Sequence, residues 1–192
     1  MGPRRARKTT VSSTLACCKR CFCGLCHNRG KTAVLIFEFG TFSRRSFPDA
    51  AAFLERLDPF LAALPREFRY AVEIRNPEFL EREYFACLRR HGVAHVYNAW
   101  SRMPELHHQM SIPDSMTTDF TVCRALLRYG RAYEEAVARF APYREIQDPD
   151  PKARDSMRVL IGRAREDRTL LFLFVNNRLE GNAPLTILSL ME

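Results

Sequence analysis

The sequence predicts an α/β protein built on a parallel sheet. Short apolar runs with strand character alternate along the chain with segments whose apolar residues recur at helical spacing. Strands separated by helices imply right-handed crossovers between parallel neighbours. Charges also stand late in one otherwise apolar strand, FRYAVEIRNPEFL (68–80). In a parallel sheet covered by helices, charges at a strand's C-terminal end mark the ligand side.

The elements follow in order from Lys31. Ala33–Phe39, AVLIFEF, ends at Gly40 and reads as a buried strand. Phe53, Leu54, Leu57, Leu61 and Leu64 share one helical face, so a helix is expected over Asp49–Leu64, kinked by Pro59. Arg69–Arg75 is the second strand, with Ala71, Glu73 and Arg75 on one face and Tyr70, Val72 and Ile74 on the other. Asn76 and Pro77 open an expected helix through Leu80, Tyr84 and Leu88, closed by Gly92.

Val93–Ala99 is the third strand, followed by a long loop from Trp100 to Met116. Thr118–Leu126 has the β-branched and aromatic content of a strand. Tyr133, Val137 and Phe140 mark a helix, and Asp150 with Pro151 starts another that carries Met157, Leu160 and Ile161. Thr169–Val175, TLLFLFV, is the clearest buried strand, and a short last helix begins near Pro184. The body thus holds about five βα units.

Composition narrows the function classes. The 192 residues are 46% hydrophobic and 27% charged, which suits a globular domain, and no apolar run reaches the roughly 18 residues of a membrane span. The net charge of +8 resides in residues 1–31, which carry eight Lys and Arg and no carboxylate. Taking those eight from the chain's 30 cations leaves 22, against 22 Asp and Glu, so the body is neutral and a nucleic-acid partner is disfavoured.

Cysteine usage divides at the same place, with Cys17, Cys18, Cys21, Cys23 and Cys26 in the leader and only Cys87 and Cys123 in the body. The body reads as reduced and cytoplasmic. The two CxxC pairs before His27 are separated by one residue, too close for the usual two-pair zinc site, and the expected reading is an unstructured basic segment. Its Arg-rich, acid-free composition also fits a transit peptide or a reading frame that has lost its true beginning. Neither GxGxxG nor GxxxxGK occurs, so no dinucleotide or P-loop cofactor is expected, no metal is assigned, and oligomeric state is left open.

The stretches LIFEFG, YAVEIRNPEFL, HGVAHVYNAWSRMP and FLFVNNRLEGNAP stand in the order in which the domain-of-unknown-function-72, or YecE-like, family carries them. From Lys31 to the C-terminus the chain resembles that family, whose fold is similar to a TIM barrel. The resemblance implies a partial (β/α)8 barrel with five units of eight. Its first element resembles the family's fourth strand, and a full barrel takes about 250 residues. Residues 1–30 would then be a leader foreign to the fold, and 31–192 the C-terminal part of the barrel domain. Loss of the early strands would leave the strands at Ala33 and Thr169 as open edges and expose Ile36, Leu171 and Leu173 on one register or the other.

In a barrel the strand C-termini converge on one mouth. Glu38, Glu73, Arg75, Asn98, Arg124, Asn176 and Asn177 end the expected strands. Glu73 can act as general base or metal ligand, Arg75 can clamp a phosphate or carboxylate bidentately, and the asparagines can orient a ligand. The alternative is that Glu73 and Arg75 pair with neighbours and hold strand register. Asn182, with Glu180 and Gly181, precedes the last helix, where it serves either a phosphate site or the cap. Trp100 either stacks a ligand or packs at the loop edge. His107 and His108 lack a carboxylate or cysteine nearby in the sequence reading and are expected to be solvated loop residues.

The leading expectation is a family member that binds a small polar or anionic ligand at the mouth. The rivals are a metal-assisted hydrolase or phosphodiesterase using Glu73 and Glu38, and a nucleic-acid-binding protein, which predicts steep salt dependence located in the body. Limited proteolysis should remove the leader and leave a core starting near Lys31, because the leader lacks apolar periodicity. Protection of Cys17–Cys26 from cleavage would contradict that expectation.

Overall fold

The computed structural model describes residues 32–192. Cys17, Cys18, Cys21, Cys23 and Cys26, with their CxxC pairs, lie outside the described residues. Five strands, β1 (Leu35–Phe39), β2 (Tyr70–Ile74), β3 (Val93–Ala99), β4 (Phe120–Ala125) and β5 (Leu170–Val175), form one parallel sheet in sequential order. Among the described residues, β1 and β5 are its edges.

Helix α1 (Ala50–Ala62) is capped by Asp49, whose Oδ1 accepts from the Ala52 amide at 2.8 Å, and it contains Pro59. Phe53, Leu57, Phe60 and Leu61 bury its inner face against Tyr70, Val72 and Ile74. The single helix expected after Asn76 is instead two pieces, a 3-10 turn (Pro77–Phe79) and α2 (Arg82–Arg90). Asn76 makes no cap bond; its side chain accepts from the Phe42 amide (2.7 Å) and donates to the Phe42 carbonyl (3.1 Å). This tertiary pairing ties the loop after β1 to the end of β2 and overrides the local cap signal. Gly92 closes α2 with φ of 63°, a backbone region that glycine enters without steric cost.

The expected loop after Trp100 contains a helix, α3 (Leu106–Ser111). Two turns hold too few apolar residues to show a period. Gln109 anchors it: Nε2 donates to the Asn98 carbonyl (2.7 Å) and Oε1 accepts from the Asn98 amide (3.2 Å). Helix α4 (Tyr133–Phe140) precedes α5 (Pro151–Glu166), which Asp150 caps with Pro151 in its first turn. After β5 come α6 (Asn177–Glu180) and α7 (Ala183–Met191).

The central strands β2, β3 and β4 are buried on both faces, whereas β1 and β5, expected as buried strands, are only partly covered because they lie at the edges of the sheet among the described residues. Tyr97, Cys123, Leu171 and Leu173 pack against Met157 and Leu160 of α5, on the helix side. Ile36, Ala71, Ala94, Val96, Phe120, Val122 and Phe172 meet on the other, inner face. Leu171 and Leu173 are therefore helix-facing, and Phe172 with Phe174 takes the inner face at β5, where Phe174 is 42% exposed. Among the described residues no helix is long and apolar enough to cross a membrane.

His95 stands on the helix side of β3 between the rings of Tyr84 and Phe85, with Nδ1 3.1 Å from the Tyr84 hydroxyl. Burial lowers its pKa to about 3. The native state therefore keeps His95 neutral, whereas the unfolded chain protonates it below about pH 6.5. The unfolded state binds the extra proton, so the contribution is fully present above pH 6.5 and is lost as pH falls toward 3. Urea denaturation should show this loss at up to about 1.4 kcal/mol per pH unit. A His95→Gln variant should have a shallower slope between pH 6.5 and 4, and an unchanged slope would contradict the assignment.

Candidate functional site

Strand alternation places Glu38 with Ile36, Glu73 and Arg75 with Ala71, Asn98 with Ala94 and Val96, and Arg124 with Phe120 and Val122, all on the inner face. Register then aligns them. Glu38 lies opposite Glu73, and Asn98 opposite Arg124.

Four of these side chains close a ring of charge. Arg75 Nη2 is 2.7 Å from Glu38 Oε1, and Arg75 Nε donates to Glu73 Oε1 at 3.2 Å. Arg124 Nη1 donates to Glu38 Oε2 at 2.8 Å and also to Glu73 Oε2. All four carboxylate oxygens thus face guanidinium groups. Glu73 has no exposed surface, whereas the Glu38 side chain is 39% exposed, so the ring has a closed floor and an open rim.

Burial pushes the Glu73 carboxyl above the ordinary carboxylate range, while Arg124 and Arg75 pull it back. For Arg124 burial opposes the charge, but the hydrogen bond to Glu38 and the field of Glu73 win and keep it cationic. The pair reading and the site reading therefore describe the same contacts. The carboxylates neutralise both arginines, and the open rim leaves a path to them.

Two more residues belong to this neighbourhood. Trp100 follows β3 directly and lies 3.8 Å from the Arg75 guanidinium carbon, ring centroid to Cζ. It also packs against Leu127, Ala136 and Phe140, so it serves the loop edge and Arg75 together. Asn98 Nδ2 donates to the Ile74 carbonyl at 2.9 Å, and its buried Oδ1 has no partner.

The remaining asparagines are engaged elsewhere. Asn176 Oδ1 caps α6 through the Arg178 amide (3.0 Å), and Asn177 Oδ1 accepts from the Ala183 amide (2.7 Å). Asn182 Oδ1 caps α7 through the Leu185 amide (2.9 Å), and its Nδ2 donates to the Tyr143 carbonyl. Capping accounts for all three. Glu180 is fully buried and holds Arg154 bidentately, with Thr186 Oγ1 donating to it at 2.8 Å. A Cβ at Gly181 would lie 2.5 Å from the Glu145 carbonyl oxygen, so the turn admits only glycine.

His107 and His108 lie in α3, not in a loop, and a carboxylate does stand beside them: His107 Nδ1 is 3.7 Å from Glu105 Oε2. Glu105 is shared with Lys152 at 3.2 Å. A further cluster, Asp58, Cys87 and His91, went unassigned in the sequence. Its legible signal was the four-residue spacing of Cys87 and His91; Asp58 lies 29 residues before Cys87 and carried none.

A parallel sheet backed by helices, with polar side chains converging from several strand ends on its inner face, defines an α/β protein of partial barrel type. The family described as protein of unknown function DUF72 matches residues 5–192, and the chain belongs to it. In structure the chain is similar to a DUF72 family protein of Thermotoga maritima MSB8, with a TM-score of 0.64 and 17% identity, covering 92% of this chain and 63% of that one. It is also similar to one from Enterococcus faecalis V583, with a TM-score of 0.61 and 11% identity, covering 100% of this chain and 68% of that one. The chain thus spans less than two thirds of the first relative's length. No curated protein matches it.

The unequal burial of the two glutamates makes a testable ordering. Glu73→Gln leaves two guanidinium groups facing an uncharged amide at a site closed to water and should cost about 1–3 kcal/mol. Glu38→Gln, at the wetter rim, should cost no more than about 1 kcal/mol. Chemical denaturation reads both, and the reverse order would contradict the geometry.

Proposed function

We propose that the charged ring is a binding site for a small ligand carrying a carboxylate or phosphate, in this chain and in its longer relatives. The observation that carries this reading is the position of Glu38. Its half-open carboxylate bridges Arg75 and Arg124, one oxygen to each, as the anionic group of a ligand would. Glu73 stays beneath as a fixed counter-charge that orients both guanidinium groups. Asn98 Oδ1 offers an acceptor for a hydroxyl or amide on the same ligand, and the Trp100 ring fixes the plane of Arg75.

The metal-assisted alternative on Glu73 and Glu38 has less support, because guanidinium groups already face every carboxylate oxygen and would repel a divalent cation. The nucleic-acid alternative is weakened in the same way. Arg128, Arg131 and Arg139 gather on one side but converge on Asp148. The free, buried Cys87 and Cys123 support a cytoplasmic location.

The test is thermal unfolding of the full chain with inorganic phosphate and with a hexose phosphate, at fixed ionic strength. A ligand at 100 times its Kd should add about 2.7 kcal/mol of stability. Glu38→Gln should tighten binding by up to about fivefold, since no more than ~1 kcal/mol of competition is removed, and Arg75→Ala should abolish it. Unchanged melting with both anions, or equal stabilisation of Arg75→Ala, would overturn the proposal.

A further inference from the structure

We propose that Asp58, Cys87 and His91 form a binding site for one Zn²⁺ ion in the helix layer, at the end of the sheet opposite the charged ring. Asp58 comes from the last third of α1, Cys87 from α2, and His91 is the C-cap residue of α2, just before Gly92. Cys87 and His91 are four apart, so they lie one above the other on the same helical face. That face meets α1, and one ligand atom from each residue falls within 4.8 Å of the other two.

The distances match a tetrahedral metal. Zn–S near 2.3 Å, Zn–N near 2.0–2.1 Å and Zn–O near 2.0–2.2 Å put the ligand atoms roughly 3.3–3.6 Å apart around the ion. Cys87 Sγ is 3.6 Å from Asp58 Oδ1, already at that spacing. His91 Nε2 is 2.6 Å from the same oxygen and has to retreat by somewhat less than an ångström. Both donors converge on Oδ1, which is the site of a bridging cation, with protons standing in its place. Binding releases the Cys87 thiol proton to solvent, and the neutral His91 ring carries its proton on Nδ1 so that Nε2 is left free to ligate.

Ligand chemistry selects the ion. A sulfur, an imidazole and a carboxylate suit Zn²⁺, whereas Mg²⁺ and Ca²⁺ take oxygen donors. A groove of about 490 Å³, lined by Asp58, Glu81, Glu83, Cys87 and Arg90 among others, opens beside the cluster and admits a water as fourth ligand. Arg90 Nη2 sits 3.1 Å from Asp58 Oδ1, but its side chain is 63% exposed and can withdraw into solvent when the ion takes its place. The other His-containing cluster, Glu105 with His107 and His108, lacks these features: both histidines are exposed and Glu105 is held by Lys152.

Thiolates in general ligate soft metals, so the test uses the full chain carrying Cys17→Ser, Cys18→Ser, Cys21→Ser, Cys23→Ser and Cys26→Ser, with Co²⁺ as the spectroscopic probe. One equivalent of Co²⁺ should produce a thiolate-to-metal charge-transfer absorption and tetrahedral ligand-field bands, and Zn²⁺ should bleach both. Adding Cys87→Ser should remove the charge-transfer band. His91→Ala should weaken binding by more than the ~10–100-fold that loss of a hydrogen bond supporting a ligand costs. Zn²⁺, and not Mg²⁺, should raise the melting temperature of the parent, which reads the site without any substitution in it. The proposal is overturned if stoichiometric Co²⁺ gives no charge-transfer band, if the band survives Cys87→Ser and so belongs to Cys123, or if His91→Ala leaves affinity unchanged.

Discussion

The register between β1 and β2 sets two glutamates side by side, and the inner face is organised around that juxtaposition. Phe37, Phe39, Val72 and Ile74 pack toward the helices and fix the register, which brings Glu38 opposite Glu73. Like charges opposite each other are unfavourable, more so with one of them sealed from water. Arg75 and Arg124 answer both. β1 and β4 are three strand steps apart, about 14 Å in a flat sheet, and Arg124 crosses that span to reach Glu38 over the buried Glu73.

The loops around the site are held by polar side chains whose hydrogen bonds replace regular backbone pairing. Gln109 stitches α3 to both backbone groups of Asn98, which leaves the Asn98 side chain to face the ring. Glu180 does similar work further along, accepting from Arg154, from Thr186 and from the Asp150 amide, so that α5, α6 and α7 share one buried carboxylate. An unpaired carboxylate there would be costly, and Arg154 with Thr186 removes that cost.

The two candidate sites occupy opposite ends of the sheet and differ in kind. The charged ring is built on strands, held by register and by neighbouring charges, and is neutral as a unit. The Asp58–Cys87–His91 cluster is built on two helices and depends on how they pack. A ligand at the first would act on the mouth; an ion at the second would pin α1 to α2, where the contact is otherwise made by apolar residues and the Asp58 pairs.

Apolar runs and, for β4, β-branched and aromatic content located all five strands to within two residues at either end, and β3 was legible over its full length. The helical spacing of Phe53, Leu57 and Leu61 announced α1, and the Asp150–Pro151 pair announced α5. The same local reading missed α3, too short to show a period, and joined the 3-10 turn to α2, because Asn76 binds the Phe42 backbone 34 residues away. For the site, alternation along β2 put Glu73 and Arg75 on one face, and the ends of β1 and β4 marked Glu38 and Arg124 as candidates. That these four meet and that Asp58 reaches Cys87 and His91 were decided by tertiary structure, whereas the Asn182 cap was one of the two readings its place before the last helix offered. The reason is physical: a side chain's face follows from its own backbone, but its partners follow from register, curvature and helix packing, which depend on residues far along the chain.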